Sequence, residues 1–307
     1  MKYELKIEHA EDADGSIDLS RLSILSESLR KIAEGALLLR IKGLSKAKKP
    51  FNLTEALKVT LTGVEKGSTI LSLDSEKFEK TLPAFQTDLF RLQHQKDLPE
   101  KTPISLFVES FKEALENPDK SELLDKPLLR NLLSFKKSFL NDNEVFSIKN
   151  EGSIEGLTLL KSDFKKIQIT ETEIPSPEPV VVNGRIEELK YSTQKVKILT
   201  EEGLVDAFLS EDFNPQDIIP WWGKNATVTG IMHYKPGKRF SIEIERIFEQ
   251  ESGDDFFSKR PKHENLEEQI NRQIAEGKDL NPLKFIVGTW PGEESDEEFD
   301  ALLKSLD

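Results

Sequence analysis

The feature that most limits what this chain can fold into lies between residues 180 and 249. Five short runs rich in β-branched residues occur there, separated by turn signals. They cover residues 180–186, 195–199, 204–209, 226–232 and 240–244. The third and fourth are split by residues 214–222, whose two prolines suit a helical or irregular stretch. Three strands, an interruption and two strands is the order of an OB-fold, a small Greek-key barrel. An SH3-like barrel is the alternative. Gly184 and Gly230 fall inside strand runs, where glycine often marks a bulge or bend that lets a small sheet curl shut. Lys235-Pro236-Gly237-Lys238 puts proline and glycine where a type II turn wants them.

The chain ahead of the barrel mixes both periodicities. Tyr3, Leu5 and Ile7 alternate with charged neighbours, which predicts a strand with one buried face. Leu22, Leu25, Leu29, Ile32, Ala36 and Leu39 recur at three and four, one face of an amphipathic helix. Asp18 is its expected N-cap, and it should end near Gly43. Leu57, Val59, Leu61 and then Ile70, Leu71, Leu73 flank Glu65-Lys66-Gly67-Ser68, the pattern of a hairpin with Gly67 at positive φ. Three helical patterns follow. The first carries Phe85, Leu89 and Leu92. The second begins after Thr102 with Pro103 in its first turn and stops at Asn117-Pro118. The third starts at Pro127 and carries Leu128, Leu132, Phe135 and Phe139. Shorter apolar alternations stand at 145–148 and 164–169.

Residues 1–170 thus read as an α+β domain. Residues 171–179, rich in proline and glutamate, read as a stiff linker. Residues 180–249 are the all-β five-stranded barrel, and 250–307 a mostly polar, acidic tail with short helices.

Composition matters mainly for what it excludes. No apolar run approaches the roughly 18 residues of a membrane helix, so no membrane association is expected. The start, MKYELKIEHAED, has no apolar signal core. Cysteine is absent, which removes disulfides, thiolate nucleophiles and zinc–thiolate sites and fits a reducing cytoplasm. The net charge of −13 opposes a general phosphate-neutralising role and suits docking on a basic partner, or plain solubility.

No catalytic motif stands out. His9, His94, His233 and His263 lie far apart, and no phosphate-binding glycine loop or nucleophile elbow occurs. No catalytic residue, metal ligand or cofactor is therefore assigned. Trp221-Trp222 suits either a ligand platform or a plug for the barrel's open end. For an OB-like barrel the candidate binding residues are Tyr191, His233, Tyr234, Lys235, Lys238 and Arg239, near the first and last hairpin turns. The plainer reading has the tyrosines covering the barrel rim and the lysines solvating a turn. In the barrel segment the carboxylates outnumber the basic residues, among them Lys190, Lys195 and Lys197.

In the tail, Ser295 with Glu298 three residues on makes a capping box ahead of Phe299, Leu302 and Leu303. So short a helix should dock, either on its own chain or, with Trp290, in a partner's groove. The string Trp290-Pro291-Gly292-Glu293-Glu294-Ser295-Asp296-Glu297-Glu298 resembles the "PGDES-EE" acidic tails of uncharacterised bacterial proteins. The whole chain is similar to bacterial proteins that join an α+β region to a five-stranded barrel. That resemblance implies a bacterial cytosolic protein and brings no activity with it. The expected function is a non-catalytic binding or regulatory protein working through protein–protein contacts. The alternatives are single-stranded nucleic-acid binding by the barrel, or an enzyme whose site gathers distant carboxylates or histidines.

Overall fold

A computed structural model describes residues 1–9, 16–47, 49, 53–65, 69–82, 97–150, 156–190, 195–210, 212–261, 271 and 274–275. Gly67, Tyr191, the pattern around Phe85 and the tail residues Trp290, Phe299, Leu302 and Leu303 lie outside these.

Strand β1 (Lys2–Glu8) buries Tyr3, Leu5 and Ile7, as its alternation predicts. It runs through the middle of an antiparallel sheet, paired on one side with β3 (Thr69–Ser75) and on the other with β4 (Val145–Asn150). The edges are β2 (Val59–Glu65) and β5 (Leu157–Leu160), giving the order β2-β3-β1-β4-β5.

Helix α1 (Leu19–Lys42) begins where Asp18 accepts from the Ser20 N–H at 2.7 Å. It ends where Gly43, at φ 89°, returns its N–H to the Leu39 carbonyl, a left-handed cap that glycine adopts without strain. After the short α2 (Phe78–Thr81) come α3 (Pro103–Glu116), α4 (Lys126–Ser134) and α5 (Phe164–Glu173). In α3, Thr102 and Ser105 form a reciprocal capping box, and Pro103 sits where its missing N–H costs nothing. The helical layer meets the sheet through edge-to-face rings. Phe135 touches Phe107 (5.2 Å between centroids) and Phe146 of β4 (5.4 Å).

Two local readings change. The alternation at 164–169 is not a strand; Phe164 and Ile167, three apart, are the buried face of α5. The 171–179 connection is also shorter than its composition suggests. Helix α5 runs to Glu173 and the first barrel strand starts at Glu178.

That strand is β6 (Glu178–Lys190), followed by β7 (Lys195–Thr200), β8 (Gly203–Leu209), β9 (Asn225–Lys235) and β10 (Arg239–Glu249). They close as β6-β7-β8-β10-β9 and back to β6. All neighbours are antiparallel except β8 and β10, which are parallel. Val182, Ile186, Val196, Ile198, Val205, Val228, Ile242 and Ile244 fill the interior. Gly230 explains part of the curvature. A Cβ there would stand 1.9 Å from the Glu243 carbonyl oxygen, and the β10 register slips between Ile244 and Arg246 just beside it.

Residues 1–261 form one compact unit. The far end of β9 leaves the barrel core, and Met232 and Tyr234 enter the same hydrophobic cluster as Leu37, Phe111 and Leu128. Of residues 262–307, the structure describes Asn271, Ile274 and Ala275, all helical. Among the described residues no helix is long and apolar enough to cross a membrane.

Candidate functional site

The outer face of the barrel is built by the same alternation that fills its core. In β7, Val196 and Ile198 point inward, so Lys195 and Lys197 point out. Across the sheet Lys195 pairs in register with Phe208 of β8 and with Lys190 of β6; Lys197 pairs with Asp206 and Glu188.

This face does not stand open. The β9–β10 hairpin is fastened to the 118–121 turn. Arg239 donates from Nη2 to the carbonyl oxygens of Asp119 (3.1 Å) and Ser121. At the C-terminal end of α1, Gly43 faces Phe208, whose ring would stand 3.9 Å from a Cβ on residue 43. Between these walls is a cleft of about 390 Å³, at the small end of ligand pockets, which run ~300–1,000 Å³.

Six cations line it: Lys190, Lys195, Lys197, Lys235, Arg239 and Arg260. Three carboxylates face them, Glu122, Glu188 and Asp206. For a chain of net charge −13 this is a local reversal of sign. Several of the cations are committed. Lys197 holds Glu188 at 2.9 Å, a bond that raises its ammonium pKa. Arg239 spends its donors on backbone carbonyls and approaches Glu122 only to 4.0 Å. Arg260 lies over the Phe240 ring at 5.2 Å.

Lys195 and Lys235 differ. Neither side chain has a hydrogen bond or a carboxylate within ion-pair reach among the described residues. Burial lowers the Lys195 ammonium to a pKa of about 8, and the neighbouring charge of Lys235 adds to this. Asp206 and Glu122 oppose the shift from farther away. Burial also lowers Lys235, against Asp125, Glu122 and Asp206. Two partly desolvated ammonium groups on one cleft, each without a counter-ion among the described residues, form an arrangement that an anion would complete.

The residues singled out from the sequence divide sharply. Lys235 and Arg239 line the cleft. His233 points to the same outer face but is paired, Nε2 to Glu243 Oε2 at 2.8 Å, with its ring 6.0 Å from Phe208. Tyr234 is a core residue, 7% exposed, whose hydroxyl donates to the Glu178 carboxylate. Burial and that bond push its phenol pKa up, and its ring is not open to stacking. Lys238 occupies the exposed turn at φ 58°. The Trp pair splits: Trp221 packs on the barrel core, while Trp222 is 66% exposed, with Nε1 donating to the Glu187 carbonyl at 3.2 Å.

Lys195 and Phe208 escaped the sequence reading. The period-two run Lys195-Val196-Lys197-Ile198 was the available signal, since it places two lysines on one outer face. Among the described residues no group of three His, Asp or Glu side chains is arranged to hold a metal ion. Compared with known proteins, the chain matches no family model, and no curated protein matches it either.

Proposed function

We infer that this chain is a non-catalytic binding protein whose barrel, of the OB class, holds a phosphate-bearing single strand at the outer face of β7 and β8. The observation that carries this is the pair Lys195 and Lys235, ammonium groups on one cleft of a strongly acidic chain that have no counter-ion within ion-pair reach among the described residues. The OB assignment is supported by the strand order and by the parallel β8–β10 pair. An SH3-like barrel is antiparallel throughout. OB-folds bind oligonucleotides on the face of their second and third strands, here β7 and β8. A bacterial cytosolic setting, implied by the tail's resemblance and consistent with the lack of cysteine, belongs to the same reading.

The test is titration of labelled single-stranded oligonucleotides at two salt concentrations. Binding should weaken as salt rises and disappear in the Lys195→Glu/Lys235→Glu variant. No binding at low salt would end the reading.

A second reading, protein–protein contact, is favoured by a separate observation. Thr227 donates to Asp254 at 2.6 Å and so holds the 254–257 turn on the barrel. That turn presents Phe256, 82% exposed, to solvent. An exposed aromatic on a fixed element is a common anchor of protein interfaces. Affinity capture with the wild type against Phe256→Ser tests it. A captured set that the substitution leaves unchanged rules out this surface.

A further inference from the structure

Resting on the binding reading above, we propose that the cleft is an end site, holding a phosphate monoester between Lys195 and Lys235 and not the internal phosphodiesters of a running strand. The geometry sets the first limit. OB-folds that track a strand engage roughly 4–16 nucleotides along an open groove. Here Gly43 and Phe208 both line the cleft, and the β9–β10 hairpin is pinned to Asp119 and Ser121. What remains, about 390 Å³, suits one compact group with its attached residue.

Charge sets the second limit. A phosphate monoester carries about −1.5 to −2 near neutral pH and offers three acceptor oxygens. A diester carries −1. Two ammonium groups with no partner among the described residues match the monoester. The carboxylates of the cleft sharpen this. Glu188 is neutralised by Lys197 at 2.9 Å, and Glu122 lies 4.0 Å from Arg239. Asp206 makes no ion pair among the described residues and stands across from Lys197 in the sheet. It is the residue an incoming anion would feel as repulsion, and removing its charge should tighten binding.

The experiment compares one oligonucleotide sequence with a 5′-phosphate, a 3′-phosphate or hydroxyl ends, using the full chain. A free nucleoside 5′-monophosphate serves as competitor. A phosphorylated strand should bind about tenfold tighter than the hydroxyl-ended one, the scale of one added charge-assisted contact. Lys195→Met/Lys235→Met should erase that preference, and Asp206→Asn should enlarge it. Both variants are first checked for an unchanged circular dichroism spectrum. Competition by the mononucleotide would identify a free nucleotide as sufficient; its failure, with phosphorylated strands still preferred, would identify a strand end.

Equal binding of phosphorylated and hydroxyl-ended strands, still dependent on Lys195 and Lys235, would overturn the end site and leave the strand-binding reading standing. No binding of any strand would overturn both. A phosphate preference that survives the double Met substitution would place the site elsewhere and overturn this proposal.

Discussion

Gly237 approaches Asp119 so closely that a Cβ on residue 237 would stand 2.1 Å from the Asp119 carbonyl oxygen. The residue is also at φ 71°, where side-chain-bearing residues are strained. The tip of the last barrel hairpin and the turn after α3 are therefore fitted backbone to backbone. That fit, with the Arg239 hydrogen bonds beside it, holds one wall of the cationic cleft in place.

Gly237→Ala should destabilise the protein by more than about 2 kcal/mol, through the left-handed backbone cost and the clash together. Lys238→Ala, one residue on and exposed, should move stability by less than about 1 kcal/mol. Chemical denaturation of the two variants checks the contrast. Equal effects would mean that the close approach contributes nothing.

Arg21 and Glu144 form an ion pair at 2.8 Å with side chains only 3% and 0% exposed. The same guanidinium donates to the Ser138 carbonyl, and Glu144 accepts from the Leu140 N–H at 2.8 Å. Removing one partner strands the other charge in the interior. Glu144→Ala should cost roughly 3–5 kcal/mol. Arg21→Met/Glu144→Leu should cost less than the sum of the single changes, since no charge is left buried. A double-mutant cycle measured by urea unfolding tests this.

Asp125 is a buried cap with two duties. Its carboxylate accepts from the Leu128 N–H (2.9 Å) at the start of α4, and from the Ser45 N–H (2.8 Å) and hydroxyl (2.6 Å) just past the end of α1. Asp125→Ala loses a cap worth about 1 kcal/mol and leaves buried Ser45 donors unpaired, for about 2–4 kcal/mol in all. Ser45→Ala should cost distinctly less, because the cap survives. Thermal unfolding of both variants provides the comparison.

Lys195 gives the protein a pH dependence of defined sign. Its folded pKa, about 8, lies below the 10.5 of a free lysine. Between those values the unfolded chain binds the extra proton, so stability rises with pH. Below about 8 the cost of the charged, buried ammonium is felt in full; above 10.5 it is gone. Lys190 and Lys235 strengthen the effect, and Asp206 and Glu122 weaken it. Lys195→Met should therefore stabilise the ligand-free protein near pH 7, by roughly 1–2 kcal/mol. That gain should shrink as pH climbs from 8 toward 10.5. Melting temperatures of the two proteins across this range decide the matter, and parallel curves would contradict it.

Much of the architecture was legible in the order of residues, because its signals are local. Asp18 and Gly43 bound α1, Thr102-Pro103 opens α3, and alternating apolar residues mark β1 and the five barrel strands. Each is set by contacts within a few residues, so periodicity and capping chemistry suffice. Short runs are weaker guides. In the 164–169 run Ile167 and Ile169 fit a strand's period and Phe164 and Ile167 a helix's, and the packing of Phe164 on Phe111 and Phe135 goes with the helix face. Tyr234 shows the same limit at the candidate site. From the sequence it is an aromatic near a turn; in the fold it sits in the core shared by the barrel and the helical layer. The alternation of Lys195 with Val196 and Ile198 is enough to turn Lys195 outward, whereas Lys235 reads as a turn residue and only the extension of β9 to Lys235 puts it on a strand. Only the tertiary structure decided that those faces would share one cleft. They are 40 residues apart in the chain, and what joins them is the closure of β7, β8, β10 and β9 into a barrel and the seating of Gly237 and Arg239 on the 118–121 turn. Such long-range contacts leave no period in the residues that make them.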